Sequence, residues 1–275
     1  MINKNLFISA AREFNDFIQI AEERNLGLEI QEFCLPELME GDWGKLLNHY
    51  QHRLEHFTGE LSLHNAFADL VNASRDPEVV ALTRRKYDLH FMIAKELGAK
   101  IIISHFHWLP FYRDVFLRKW QDEQIRFWEP YVDRAEKENI LLVMENVYET
   151  CPEILKPVVD RINSTQFKFI FDIGHAHLFS EVPLEDWLLA FGKDLVYMHV
   201  HNNYKNYDQH NSVLEGTINF DYFFDKLDSF NMHPILSTEV FAKNALIESL
   251  DYLERKMRVS RSYKLENTTE NFNDN

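Results

Sequence analysis

The 275-residue chain carries thirteen histidines and forty-four acidic residues. Those of chemical interest recur at one kind of place, the carboxyl end of a short apolar run. Leu61-Ser-Leu closes on His64, Ile101-Ile-Ile-Ser on His105 with His107 two further on, and Leu141-Leu-Val-Met on Glu145. Phe169-Ile-Phe runs into Asp172 and then His175, Tyr197-Met into His199 and His201, and Leu236-Ser-Thr into Glu239. A loop pair, Asp208 and His210, follows the seventh run. A single histidine so placed is ordinarily a hydrogen-bonded loop residue. Glu145 and Asp172 are harder to assign to packing, because a carboxylate ending a buried strand needs a compensating charge and a divalent cation is one of the few adequate partners. Cys34 and Cys151 form no Cys-x-x-Cys pair, so an ion here would be held by nitrogen and oxygen. His49, His52, His56, His90 and His233 lie in helical or turn segments and read as surface or structural residues.

Such residues meet only if the elements between them bring the run ends together. Eight apolar, β-branched runs are present: Leu6 to Ala10, Leu28 to Phe33, Leu61 to His64, Lys100 to His105, Ile140 to Asn146, Phe167 to Asp172, Leu195 to His201 and Pro234 to Val240. Helical segments alternate with them, and near-continuous apolar runs such as Ile101-Ile-Ile suit parallel strands buried on both faces. Pro77 to Leu97 is the clearest helix, with Asp76 as its cap, Pro77 in its first turn and Gly98 at its end. Eight strands in this rhythm predict an α/β fold, a single-domain (β/α)8 TIM barrel, in which all carboxyl ends open on one face. An open doubly wound sheet loses ground, since neither Gly-x-Gly-x-x-Gly nor Gly-Lys-Ser/Thr occurs and the chain has only eight glycines. The reading assigns residues 1–257 to the barrel and 258–275, polar and aperiodic, to a mobile tail.

A formal net charge of −15 disfavours nucleic acid as a partner, because that affinity rests on Lys and Arg neutralising phosphates. No run of about eighteen apolar residues predicts a membrane span. The first residues lack the features of a secretory signal, so a cytoplasmic location is expected.

The motifs Leu61-Ser-Leu-His64-Asn-Ala-Phe67, Ala94-Lys-Glu-Leu-Gly98, Val143-Met-Glu145-Asn146, Phe171-Asp172-Ile-Gly174-His175, Met198-His199-Val-His201-Asn202-Asn203, Leu214-Glu-Gly216 and Ser237-Thr-Glu239-Val240 resemble, in order and spacing, the xylose-isomerase-like barrel superfamily. It includes sugar phosphate isomerases and epimerases together with apurinic-site nucleases of the endonuclease IV type. The resemblance runs from about Leu6 to Lys256. It implies a divalent ion, zinc, manganese, magnesium or cobalt, held by Glu145, Asp172, His199 and Glu239. It also implies the further ligands of a three-zinc centre, matched by His64, His105, His175, Asp208 and His210, so the expectation is one to three ions. Ala66 departs from the proline common in the His-x-Pro-Phe motif. Glu145 and Glu239 are the expected acid/base pair, with His201, Phe67, His107, Trp108 and Arg113 as substrate contacts; Phe106, Phe111 and Tyr112 are further aromatics that could close over the substrate. The superfamily's frequent dimers and tetramers allow a homo-oligomer.

Three functions compete. The leading one is a metal-dependent isomerase or epimerase of a small sugar or sugar phosphate, working through an enediolate. The second is a multi-zinc phosphoester hydrolase, and the third a non-catalytic binding barrel.

Overall fold

A computed structural model describes residues 5–10, 14–109 and 114–270. Strands β1 (Leu6–Ala10), β2 (Gly27–Ile30), β3 (Leu61–His64), β4 (Ile101–His105), β5 (Leu141–Glu145), β6 (Phe167–Asp172), β7 (Leu195–Val200) and β8 (Ile235–Thr238) close in chain order into a parallel barrel, with β1 pairing to β8. The intervening helices are α1 (Phe14–Arg24), α2 (Pro36–Glu40), α3 (Trp43–Arg53), α4 (Pro77–Leu97), α5 (Asp114–Glu138), α6 (Lys156–Ile162), α7 (Ile173–Phe179), α8 (Leu184–Phe191), α9 (Phe220–Ser229) and α10 (Lys243–Glu270). None among the described residues is long and apolar enough to cross a membrane.

Strand alternation divides the apolar residues into two bodies. One set of side chains packs with the helices in the main core, where Tyr87 and Phe91 of α4 meet Phe127, Trp128 and Tyr131 of α5. A second, smaller cluster, Ile101, Ile103, Val143, Ile170 and Tyr197, comes from four adjacent strands and is separate from the first. These are the inward positions. Two residues further along each of these strands stand His105, Glu145, Asp172 and His199, so the inner filling changes from aliphatic to ligand-bearing at the carboxyl end.

Helix α4 begins and ends where the sequence predicts. Asp76 accepts a 2.8 Å bond from the Glu78 N–H, and Gly98 terminates the helix at φ 75°, a conformation that glycine adopts without strain. Three expectations change. Strand β2 stops at Ile30, because Glu32–Cys34 forms a 3-10 turn in which the Cys34 N–H donates to the Gln31 carbonyl at 2.9 Å. Strands β7 and β8 end one residue before His201 and Glu239. The segment from 258 onward, read as a tail, continues α10 to Glu270. Phe111, Tyr112 and Arg113 lie outside the described residues.

Asp76→Ala and Gly98→Ala should each destabilise the fold by about 1 kcal/mol in urea unfolding. Midpoints unchanged for both would show that these caps do not delimit α4.

Candidate metal centre

Barrel register brings the donors side by side. Pairing sets His105 opposite Glu145 on β4 and β5, and Asp172 opposite His199 on β6 and β7. Asn146 locks the ends of β5 and β6 together: its Nδ2 donates to the Asp172 carbonyl and its Oδ1 accepts the Asp172 N–H, both at 2.9 Å. Asp172 Oδ1 in turn caps α7 by accepting the His175 N–H at 2.6 Å, which swings His175 back over the mouth. His175 Nδ1 rests 3.0 Å from the Asn146 carbonyl.

Three donor groups result among the described residues. In the first, His64 Nε2 and His105 Nε2 stand 3.3 and 3.2 Å from Glu145 Oε2. In the second, His199 Nδ1 faces Glu145 Oε1 and Glu239 Oε2 at 3.3 Å each and Asp172 Oδ2 at 3.6 Å. In the third, Asp208 Oδ2 lies 3.2 Å from His175 Nε2 and 2.9 Å from His210 Nε2, with His201 Nδ1 3.8 Å from Asp208 Oδ1. Glu145 belongs to the first two groups, one oxygen to each.

The donor set suits a divalent ion. Ligands about 2.0–2.1 Å from a tetrahedral zinc are separated by roughly 3.4 Å, and most of these contacts fall between 3.2 and 3.6 Å. His199 Nδ1, Glu239 Oε2, His201 Nδ1 and Asp208 Oδ1 are buried and have no hydrogen-bond partner among the described residues, yet each points into one of the groups. Such atoms are costly unless they bind something.

Electrostatics give the same picture. Burial pushes the Glu145 carboxyl up, but the charges of His199 and His105 overcome it and hold the group well below the usual carboxylate range. Burial likewise raises Asp172, and His175 and His201 outweigh it. Burial lowers His199 and His175, whereas the surrounding carboxylates carry both well above the ordinary imidazole value. His210 is lowered by burial but lifted to about 9 by Glu239 and Asp208. Without a cation, then, protons on imidazole balance the carboxylates, and a bound ion would replace those protons.

The structure gathers all nine expected ligands. It also corrects and extends the sequence reading. His201, expected at the substrate, is fully buried and joins the third group. His107 sits at φ 54° with its Nε2 2.8 Å from the Tyr87 hydroxyl, turned from the donors. Trp108 and Phe106 are core residues, Trp108 edge-on to Trp120 at 5.0 Å and Phe106 packed against Trp128, so neither closes over a substrate. Phe67 remains 41% exposed and touches His64 and His105, at the rim. The Ala66 N–H donates to Asn65 Oδ1 at 3.0 Å, a bond that proline could not make.

Residues that the strand-end pattern missed lie beneath and beside the donors. Glu29 and Gln31 come from β2 and the turn after it, and Cys34 Sγ stands 3.3 Å from His64 Nδ1. Glu149 is buried, and burial lifts its carboxyl to about 7. In the sequence Glu29 shows only as an acid between Leu28 and Ile30.

Fold and site together define a class: parallel TIM barrels with a nitrogen and oxygen donor centre at the strand ends. Residues 21–263 match the family described as xylose isomerase-like TIM barrel, and the chain belongs to that family. It is 28% identical to an uncharacterized Methanocaldococcus jannaschii protein, MJ1311, across 72% of each chain. Among solved structures it is similar to a D-tagatose 3-epimerase-like protein (TM-score 0.79, 22% identity, 94% of this chain and 99% of that one). It is also similar to the TTHB071 protein of Thermus thermophilus soaked with zinc chloride (TM-score 0.78, 24% identity, 92% and 97%). At these identities the structural likeness concerns the fold.

Two outcomes test the site. A β-carbon on Gly174 would lie 2.0 Å from the His201 ring, so Gly174→Ala should displace that imidazole and lower the melting temperature; an unchanged melting temperature and unchanged His201 resonances would refute the close approach. The second concerns pH. His210 has a folded value of about 9, and His64, His175 and His199 are also raised, above an unfolded value near 6.5. The contribution of His210 is therefore complete below pH ~6.5 and lost as pH rises through about 9, and the other three act in the same direction. Glu149, raised to about 7, has the same sign. Protein kept in chelator should lose thermal stability between pH 6.5 and 9, and a flat or rising profile would contradict this charge balance.

Proposed function

We propose that the chain is a metal-dependent isomerase or epimerase of a small polyhydroxylated carbonyl compound, a sugar or sugar phosphate. The observation that carries the proposal is the approach of Glu145 and Glu239 to the same His199 Nδ1, each at 3.3 Å, from strands three places apart in an eight-membered ring. Two proton carriers thus flank one donor group. An ion held by Glu145, Asp172, His199 and Glu239 would supply Lewis acidity toward a carbonyl and its neighbouring hydroxyl, favouring the enediolate. One glutamate removes the proton from the carbon beside the carbonyl, and the other returns a proton to the opposite face or the adjacent carbon. Phe67, at the rim, covers the sugar ring. The likeness to a protein described as D-tagatose 3-epimerase-like supports a ketose as substrate.

A second reading has its own observation. Glu145 divides its oxygens between two donor groups, Oε2 to His64 and His105 and Oε1 to His199, so it would contribute a ligand to an ion in either group. Metal-assisted hydrolysis of a phosphoester uses such centres, and the −15 charge favours a small ester over a duplex.

Ion content and activity separate the two. For the isomerase reading, the purified protein should hold about one tightly bound ion per chain, and chelation should abolish ketose interconversion until metal is restored. Glu239→Gln should lower kcat on the order of 100-fold. Three tight ions with turnover of a model phosphodiester and none of ketoses would transfer the assignment to the hydrolase. Ketose interconversion that survives metal stripping would end the leading proposal.

A further inference from the structure

Strand β2 supplies no member of the three donor groups, yet its one acid lies at the bottom of the site. Glu29 is fully buried and faces inward between Ser9 of β1 and Ser62 of β3, its register partners. Both of its oxygens lie 3.0 Å from His199 Nε2. The rest of its acceptor capacity is filled: the Tyr197 hydroxyl donates to Oε2 at 2.9 Å, Gln31 Nε2 to Oε1 at 3.0 Å, and Ser9 Oγ to Oε1 at 3.3 Å. With every lone pair engaged, Glu29 is not available as a ligand or base. Its effect is on the imidazole. A carboxylate that can only accept holds one proton of His199 on Nε2, so the proton that a cation displaces is the one on Nδ1, the atom that has no hydrogen-bond partner among the described residues and faces Glu145, Asp172 and Glu239.

Two further contacts fit this account. Gln31 Nε2 also donates to Glu239 Oε1 at 2.7 Å, which leaves Oε2, a second atom of this group without a hydrogen-bond partner among the described residues, toward His199. The same pattern recurs two residues on, just past β7, where His201 Nε2 lies 3.1 and 3.2 Å from the Asp172 oxygens and its Nδ1 is without a hydrogen-bond partner among the described residues.

We infer that Glu29, assisted by Gln31, is the positioning residue of the second donor group: it fixes the His199 tautomer and the rotation of Glu239, so that Nδ1 and Oε2 are presented to a divalent cation. This deepens the metal-dependent reading and rests on it. Outer carboxylates of this kind typically contribute 10- to 100-fold in metal affinity.

The test compares wild type, Glu29→Gln, Glu29→Leu and His199→Ala, all as full-length protein, by competitive titration with zinc and by proton NMR after cobalt loading. Gln keeps an acceptor for Nε2–H and Leu does not. The expected order of zinc affinity is wild type, then Gln, then Leu, with Leu weaker than wild type on the order of 10- to 100-fold. A hyperfine-shifted, exchange-protected imidazole N–H signal should be present in wild type and Gln and absent from Leu and from His199→Ala. Protected signals in all of wild type, Gln and Leu, with affinities within about twofold, would overturn the inference alone. If His199→Ala retains as many ions as wild type, the metal reading falls with it. Should the Leu variant not fold, the Gln variant decides, since removal of the charge must itself weaken zinc several-fold while the N–H signal persists.

Discussion

Buried negative charge is the constraint on which the rest of this structure depends. Glu29, Glu145, Asp172 and Glu239 are each at most 7% exposed and share one barrel mouth. An uncompensated carboxylate in such a place costs several kcal/mol, so four of them together are tolerable only when each is matched. The imidazoles of His64, His175 and His199, each raised in value, do the matching, and every one lies within 4 Å of at least one of these carboxylates. The atoms that face the donor groups lack hydrogen-bond partners among the described residues, so a cation that replaces the imidazole protons has no competing hydrogen bond to expel.

The barrel makes this concentration of charge mechanically possible. A parallel ladder closed through β1 and β8 fixes the register of each strand against two neighbours, and a slip of one residue would turn the donors outward into the aromatic shell. Tyr197 spans the change from apolar to polar filling. It packs in the inner aliphatic cluster and carries its hydroxyl to Glu29 and Ser62. Helices therefore stabilise the site without contributing to it, with the exception of α7, whose capping by Asp172 makes one carboxylate both a candidate ligand and a helix terminus.

Most of this was legible in the sequence because strand ends and chemistry coincide. His64, His105, Glu145 and Asp172 are the last residues of their strands, and the alternation of runs implied that those ends share a face. Glu29 was not legible by that rule, since it lies within β2 and a polar residue between two apolar ones usually marks a solvated face. Only closure of the barrel, with helices outside, removes the solvated face and leaves Glu29 no place but the interior. Nearness in sequence also misled. His107 and Trp108 follow His105 directly, but the positive φ at His107 reverses the chain and sends them to Tyr87 and Trp120. The motif position selects His199 as the ligand and leaves His201 for the substrate, although two-residue spacing places both on the same inward side.

Glu145 is where the two chemical readings part, and the reason is its valence. A carboxylate with one oxygen on an ion keeps the other free to accept a proton from carbon, as an enediolate mechanism requires. With Oε2 turned to His64 and His105 and Oε1 to His199, that freedom lasts only while the first donor group holds no ion. Occupation of the His64 and His105 site would engage both oxygens, lower the basicity of Glu145 and leave Glu239 as the sole proton carrier beside the second group. The same residues would then hold an ion in each group and would supply Lewis acidity toward a phosphoester. The difference between proton transfer at carbon and displacement at phosphorus thus reduces to the affinity of one three-ligand site, His64, His105 and Glu145, relative to the four-ligand site next to it.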